Sequence, residues 1–405
     1  MAIPHALWIV FLFAMGASTG SFLNVVVYRL PLELSIVRPS SHCTGCKHPI
    51  AWYDNIPIIS WFVLMGHCRH CRETFSFRYP FVELLTAMLF VGLYWAYFME
   101  GVRSEMPLFG QGGYVVYSGH IVMLCALLAC SLIDAEHWVI PLSVSYIAAG
   151  VGLIMSMIAP YWAAIELESP WGLTPYASPG SGAAALGAVV GLAVSLLLLK
   201  SGLLKRSFAE WEQEQIDSQK KVNSSGQPTA DRNIVGTSVG IDTNVRREMM
   251  REIAFLAPIV SGGVIFLLVL GGDGEPGRWW REIILTQKWM TGLLGGVFGF
   301  MIGGGVVWAT RILGSLAFGK EAMGLGDVHL MAAVGAVLGW AGATIAFFVA
   351  PFFGLGWALT RLALHRSREI PYGPFLSMGT LLVMVLYDMI IGYFAGAFTI
   401  PGAMP

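Results

Sequence analysis

The chain has 405 residues, of which 56% are hydrophobic and only 12% are charged, and its mean hydropathy is +0.67. Soluble domains usually carry about 25% charged residues, so this composition excludes an ordinary soluble protein. It predicts an all-α, polytopic membrane protein whose apolar helices lie in a lipid bilayer. The net charge of −1 is uninformative about further partners.

Ten apolar stretches follow one another along the chain, and each predicts a helix that crosses the bilayer. Their approximate bounds are 4–28, 80–99, 119–134, 139–159, 182–200, 253–271, 289–313, 328–341, 343–364 and 375–399. The first stretch lacks a basic start and a small-residue cleavage site, so we expect a retained helix rather than a signal peptide.

Lysine and arginine are concentrated in the loops 29–79 and 201–252 and around residue 370, whereas the intervening loops contain few. Basic loops usually remain in the cytoplasm. The sequence therefore predicts that these loops are cytoplasmic and that both termini lie on the opposite side of the membrane.

Hydropathy and charge together predict five parts of the chain. They are a first transmembrane helix (1–28), a cytoplasmic cysteine-containing loop domain (29–79), a membrane core (80–200), a polar cytoplasmic linker (201–252) and a second membrane core (253–405). The charges of the linker balance, so it does not resemble an arm that binds nucleic acid, and we expect no nucleic-acid partner.

The first cytoplasmic loop contains two C-x-x-C pairs, Cys43 with Cys46 and Cys68 with Cys71. This pattern is typical of a structural zinc site with four thiolate ligands, which would stabilise a loop too short to form its own core. Two disulfides or a redox-active pair are the alternatives. A cytoplasmic location argues against disulfides, because the cytosol keeps thiols reduced.

Two aspartates, Asp134 and Asp327, lie at the ends of apolar stretches nearly two hundred residues apart. A carboxylate at membrane depth is costly and indicates a functional site with a partner. The predicted topology places both at cytoplasmic helix ends, where two carboxylates that share a proton can activate water as in aspartic proteases. Alternatively, each simply terminates a helix, with Asp327 as an N-cap.

Asp388 is a rival carboxylate, because it lies near the middle of the tenth predicted span. No glycine or proline motif surrounds it, and we interpret it as structural or gating. By contrast, Gly324 and Gly326 precede Asp327, and Pro141 follows Asp134, so irregular backbone is expected beside both members of the proposed pair.

Several blocks of the sequence resemble the type IV prepilin peptidases. These blocks are GSFLNVVVYRLP (20–31), WYDNIP (52–57), RYPFVE (78–83), DAEHWVIP (134–141), KEAMGLGD (320–327) and IPYGPF (370–375). The resemblance implies that Asp134 and Asp327 are the catalytic pair of an intramembrane aspartic endopeptidase. The segment from about 165 to 288, with two spans and the linker, is an insertion relative to many members of that family.

The resemblance further implies that the substrates are prepilin or pseudopilin precursors, cleaved at the cytoplasmic face of the bacterial inner membrane. Family members commonly also methylate the new N-terminus with S-adenosylmethionine, a function associated with the first cytoplasmic loop. No S-adenosylmethionine motif is recognisable in the sequence, so residues that bind this cofactor are not assigned.

Two other functions compete with proteolysis. Intramembrane carboxylates also relay protons or cations in transporters, but both aspartates are predicted at one edge of the membrane rather than at its midplane. The two C-x-x-C pairs would alternatively suit a thiol-redox protein, which metal content distinguishes from a zinc protein.

Overall fold

The computed structural model describes residues 4–162, 173–205, 207, 245–363 and 371–398. Within these ranges the chain is helical, with two isolated β-bridges and no strand, which confirms the predicted all-α class. The helices are α1 His5–Arg29, α2 Ile59–Val63, α3 Arg78–Phe98, α4 Gly113–His137, α5 Leu142–Trp162, α6 Pro179–Lys200, α7 Val245–Leu270, α8 Glu275–Thr286, α9 Lys288–Phe318, α10 Leu325–Ala363, α11 Gly373–Val385 and α12 Tyr387–Phe398.

Eight of the described helices are long and apolar enough to cross a membrane, so the protein is a multi-pass membrane protein. The predicted count of ten is not confirmed. The predicted spans 328–341 and 343–364 correspond to the two arms of α10, which meet at the non-helical Gly339 and are counted together, and the tenth span is divided into the short helices α11 and α12. Most of the predicted linker lies outside the described residues, and α7 begins within its predicted C-terminal end, at Val245.

Helix α10 reverses direction at Gly339, whose backbone is non-helical with φ 76°. A Cβ atom built on Gly303 in α9 would lie 2.5 Å from the Met331 carbonyl oxygen and 3.2 Å from the Ala343 Cβ atom. In an uninterrupted helix, residues 331 and 343 are about 18 Å apart along the axis. Because both approach one point, the two arms of α10 fold back on each other.

The described residues divide into two compact units, of which the first comprises Met1–Gly182, Glu282–Val307 and Leu325–Pro405. Within this unit α4 packs against α1, α3, α5 and α11. One core cluster joins α1 to α4 beside Ile133, and a second joins α4 and α5 to α10 through Ala333. These clusters hold in place the helix ends that carry Asp134 and Asp327.

Helices α1 and α3 approach each other closely through small residues of α1. Cβ atoms added to Gly16 and Gly20 would lie 2.7 Å and 2.6 Å from the Cα atoms of Ala87 and Glu83. Small residues permit such backbone approach between helices in a membrane. The pairing brings the 20–31 and 78–83 blocks together.

The second unit comprises Ala183–Arg281 and Trp308–Gly324 and contains a buried ion pair. Arg311 and Glu252 are both almost fully buried, with their nearest charged atoms 3.1 Å apart. The guanidinium of Arg311 also bonds Glu321 and donates to the Met323 carbonyl oxygen. This network fixes the backbone immediately before Gly324, in the loop that leads into α10.

Candidate active site

Asp134 lies in the last turn of α4, and its side chain is only 7% exposed. The helix ends at His137, because Trp138 adopts a left-handed conformation (φ 58°) and donates its N–H to the Asp134 carbonyl oxygen at 3.0 Å. Irregular backbone then follows until α5 begins at Leu142. Non-helical backbone within a bilayer needs protein or water around it.

Asp327 lies in the first turn of α10 and is also 7% exposed. The positive end of the helix dipole favours a carboxylate at this position. A Cβ atom on the preceding Gly326 would lie 2.7 Å from the Ile140 Cβ atom. The backbone before Asp327 therefore packs directly against the irregular segment that follows Asp134.

A third segment, which leads into α11, reaches both aspartates. The Gly373 N–H donates a hydrogen bond of 2.9 Å to the Asp134 Oδ2 atom. Burial and then the negative charge of Asp327 raise the pKa of the neighbouring Tyr372 to about 12. Asp134 and Asp327 are thus brought to one loop, although 193 residues separate them in the sequence.

Residue type and spacing alone predict no role for this loop, although 370–375 is one of the blocks that carry the resemblance. A Cβ atom on Gly373 would lie 2.8 Å from the Asp134 Oδ2 atom, so only glycine fits here without displacing the carboxylate. A glycine between two prolines was the available signal, but the contact that it makes depends on tertiary packing.

Other ionisable residues near the pair have partners of their own. Glu136 forms an ion pair with Arg78 at the start of α3. The His329 Nδ1 atom lies 2.9 Å from the Leu325 carbonyl oxygen, and its ring contacts that of Tyr146 edge-on at 5.5 Å. The ion pair joins the ends of α3 and α4, and the ring contact joins the ends of α5 and α10.

Asp388 does not lie with the pair. It is in the first turn of α12 and accepts a 2.6 Å hydrogen bond from the Ser104 N–H, in the loop that precedes α4. Asp134 is at the other end of α4, a helix of 25 residues or about 37 Å. Asp388 therefore cannot share a water molecule with Asp134, and its position agrees with a structural role.

The four loop cysteines converge. Their Sγ atoms all lie within 4.8 Å of one another, and those of Cys43 and Cys71 are 3.6 Å apart. Four thiolates around one zinc ion at 2.3 Å are separated by about 3.8 Å, so the cluster fits this metal. No disulfide joins the described cysteines.

The two C-x-x-C pairs form turns of the same geometry. Cys43 and Cys68 each donate their N–H to the carbonyl oxygen five residues ahead, that of His48 and Glu73 respectively. N–H groups of Cys71 and then of His70 point at the Cys68 sulfur and lower the pKa of this thiol to about 7. A lowered pKa favours the thiolate form that binds a metal.

A cavity of about 680 Å³ lies between the cysteine loop and the adjoining ends of α1 and α3. Its wall includes Glu83 of α3, a buried carboxylate that accepts a 2.6 Å hydrogen bond from the Ile58 N–H. Asn24 of α1, also in the wall, donates to the Tyr79 carbonyl oxygen at 3.1 Å. The volume is within the range of small-molecule sites, about 300–1,000 Å³.

These features define a multi-pass helical membrane protein with two carboxylates at one loop and a four-cysteine cluster on another. Residues 14–97 match the model of the bacterial peptidase A24 N-terminal domain, and residues 254–359 match that of the type IV leader peptidase family. In these two segments the chain is similar to the type IV leader peptidase family. Asp327 lies within the second match, whereas Asp134 lies between the two.

Curated relatives carry the description "Prepilin leader peptidase/N-methyltransferase". The protein from Myxococcus xanthus (strain DK1622) is 42% identical over 149 residues, which are 36% of this chain and 40% of the relative. The Klebsiella pneumoniae protein is 37% identical over 161 residues, 38% of this chain and 64% of the relative. The Aeromonas hydrophila protein is 24% identical over 97% of both chains. No solved structure matches the chain.

Proposed function

We propose that this protein is an intramembrane aspartic endopeptidase that removes the leader peptide from prepilin or pseudopilin precursors. The observation that carries the proposal is the packing of Gly326, next to Asp327, against Ile140 in the segment that follows Asp134, together with the hydrogen bond from Gly373 to Asp134. The names of the relatives support the substrate class.

The proposed chemistry needs one ionised and one protonated carboxyl group. The ionised member of the pair accepts a proton from a water molecule, whose oxygen attacks the scissile carbonyl carbon. The protonated member donates its proton to the oxyanion. As the C–N bond breaks, the member that took the water proton gives it to the leaving amine, and a hydroxyl proton of the intermediate returns to the other carboxylate. The roles belong to the pair as a unit, because two interacting carboxyl groups titrate together.

The position of the loops supports a site at the cytoplasmic face of the bacterial inner membrane. The basic loop 29–79 and the ends of α4 and α10 that carry the aspartates are on one predicted side. A precursor with a short polar leader and an apolar helix would approach from the bilayer and present its cleavage site at this depth.

Cleavage of a purified precursor tests the function. In vesicles that contain the purified protein, we expect a pilin-like precursor to be cut once, between the leader and the apolar segment, without added nucleotide or metal. Mass spectrometry of both products locates the cut. An intact precursor, with protein that is folded and correctly inserted, would contradict the proposal.

Replacement of Gly373 by alanine tests the contact that orients Asp134. The added methyl group would lie 2.8 Å from the Oδ2 atom and displace the carboxylate, so we expect kcat to fall about 10- to 100-fold with little change in KM. Gly150→Ala is the matched control, because no atom lies within 4 Å of the added Cβ position and α5 is helical there. Equal rates for both variants would rule out this role of Gly373.

We further propose that Cys43, Cys46, Cys68 and Cys71 hold a structural zinc ion. The metal would cross-link the two turns and thereby fix the wall of the adjacent cavity. A redox role is less well supported, because four convergent thiols fit a metal better than two independent redox pairs.

The cavity supports methylation of the new N-terminus as a second activity, with S-adenosylmethionine as the proposed methyl donor. Its volume accommodates a molecule of this size, and the buried carboxylate of Glu83 would bind a cationic or hydroxyl group. The donor would supply an electrophilic methyl group. Glu83 would orient the bound amine and accept its proton.

A transport function is not favoured. A proton or cation relay needs ionisable groups through the membrane, whereas Asp134 and Asp327 are at one end of their helices and Asp388 is at the opposite end of α4.

A further inference from the structure

The cysteine loop contains an apolar stretch, residues 56–66, that has no charged side chain and includes α2. Ile59 and Phe62 are more than half exposed, and Val63 and Met65 are 68% and 80% exposed. A contiguous exposed apolar patch on a polar loop marks a surface that contacts a protein or a membrane.

The opposite side of α2 is anchored by Trp61. Its indole N–H donates to the Phe75 carbonyl oxygen at 3.1 Å, and its ring packs edge-on against Phe77 at 5.4 Å. The ring also occupies the space where a Cβ atom on Gly66 would lie. Because Trp61 packs against Phe75 and Phe77, the exposed side chains lie on the part of α2 that this packing leaves uncovered.

A hydrogen bond sets the depth of α2 relative to the membrane. The Ile58 N–H, immediately before α2, bonds the carboxylate of Glu83, five residues into the membrane-spanning helix α3. Five residues correspond to about 7.5 Å along a helix axis. Along the axis of α3, the start of α2 therefore lies beside the first turns of α3 rather than beyond its N-terminal end.

The exposed patch is continuous with the outward face of α3. Phe77, which Trp61 contacts, is more than half exposed, and so is Phe81, one turn further along α3. Met88 continues this exposed apolar face along the span. On a helix that crosses the bilayer, such a face contacts lipid.

We propose that α2 lies in the interfacial region of the bilayer, with Ile59, Phe62, Val63 and Met65 inserted among the lipids. The occupant of the patch is thus the phospholipid surface next to α3. Short apolar and aromatic segments bind membranes in this way, and the polar flanks remain in the headgroup region. The four-cysteine cluster is consequently held close to the membrane rather than extended into solution.

Photo-crosslinking tests this proposal. The full-length protein carries p-benzoylphenylalanine in place of Phe62 and is reconstituted in vesicles of phosphatidylethanolamine and phosphatidylglycerol. Phe81 is the lipid-facing control, and Thr44, which is exposed on the first cysteine turn, is the control away from the patch. We expect lipid adducts at position 62 to approach those at 81 and to exceed those at 44 about tenfold.

Position 63 provides a second site if the substitution at 62 prevents folding, and metal content reports on the fold of the loop in each variant. Adducts at 62 and 63 no more frequent than at 44 would overturn the proposal. The proposal would also be overturned if an added pilin-like precursor formed the adduct in place of lipid. That result would identify the patch as a protein-docking surface.

Discussion

Asp134→Asn and Asp327→Asn should each lower kcat for precursor cleavage by about 10³-fold or more, with little effect on precursor binding. The reason is chemical, because asparagine can neither accept the proton of water nor donate one at neutral pH. Asparagine has the shape of aspartate, and the Gly373 N–H can still donate to its side-chain oxygen. Both variants should therefore be inserted and folded normally.

Asp388→Asn is the matched control for these variants. Asp388 is also a carboxylate at a helix end, but it binds the Ser104 N–H at the far end of α4. We expect near wild-type cleavage from this variant. Wild-type rates in either Asp134→Asn or Asp327→Asn would refute the proposed catalytic pair.

Cys43→Ser should remove most of the zinc, which we expect at about one ion per chain in the purified wild-type protein. Cys43 is almost fully buried, and its sulfur is 3.6 Å from that of Cys71, so serine leaves the site one ligand short. The two turns have no core of their own, and loss of the metal should expose the loop to proteases.

The control for this substitution is Cys125→Ser, because Cys125 is a half-buried residue of α4 and not part of the four-cysteine cluster. Its zinc content should equal that of the wild type. Unchanged zinc in Cys43→Ser, or wild-type protein that contains disulfides instead of zinc, would contradict the proposed site.

Hydropathy predicted most of the helices to within a few residues, and the exceptions have physical reasons. Helix α4 was predicted to begin at 119 but begins at Gly113. Its first turns contain glycine and tyrosine, which have low hydropathy, although their backbone is helical. Its end, predicted at 134, extends to His137 because Trp138 caps the carbonyl group of Asp134. Hydropathy does not register a cap.

Residue type and spacing were sufficient to select Asp134, Asp327 and the four cysteines as candidates. The lack of a neighbouring glycine or proline motif indicated a structural or gating role for Asp388, but hydropathy did not show that the last apolar stretch divides between α11 and α12. The contact between Gly373 and Asp134 joins residues 239 positions apart and depends on how α11 packs against α4. Only the three-dimensional structure supplies that information.

The dependence of kcat/KM on pH tests the central claim most directly. The measurement uses purified wild-type protein in vesicles and one pilin-like precursor. Two carboxyl groups that share one proton predict a bell-shaped profile, because the base is lost when both are protonated and the acid is lost when both are ionised. A rate that rises with pH to an alkaline plateau, without a descending limb, would contradict the proposed pair.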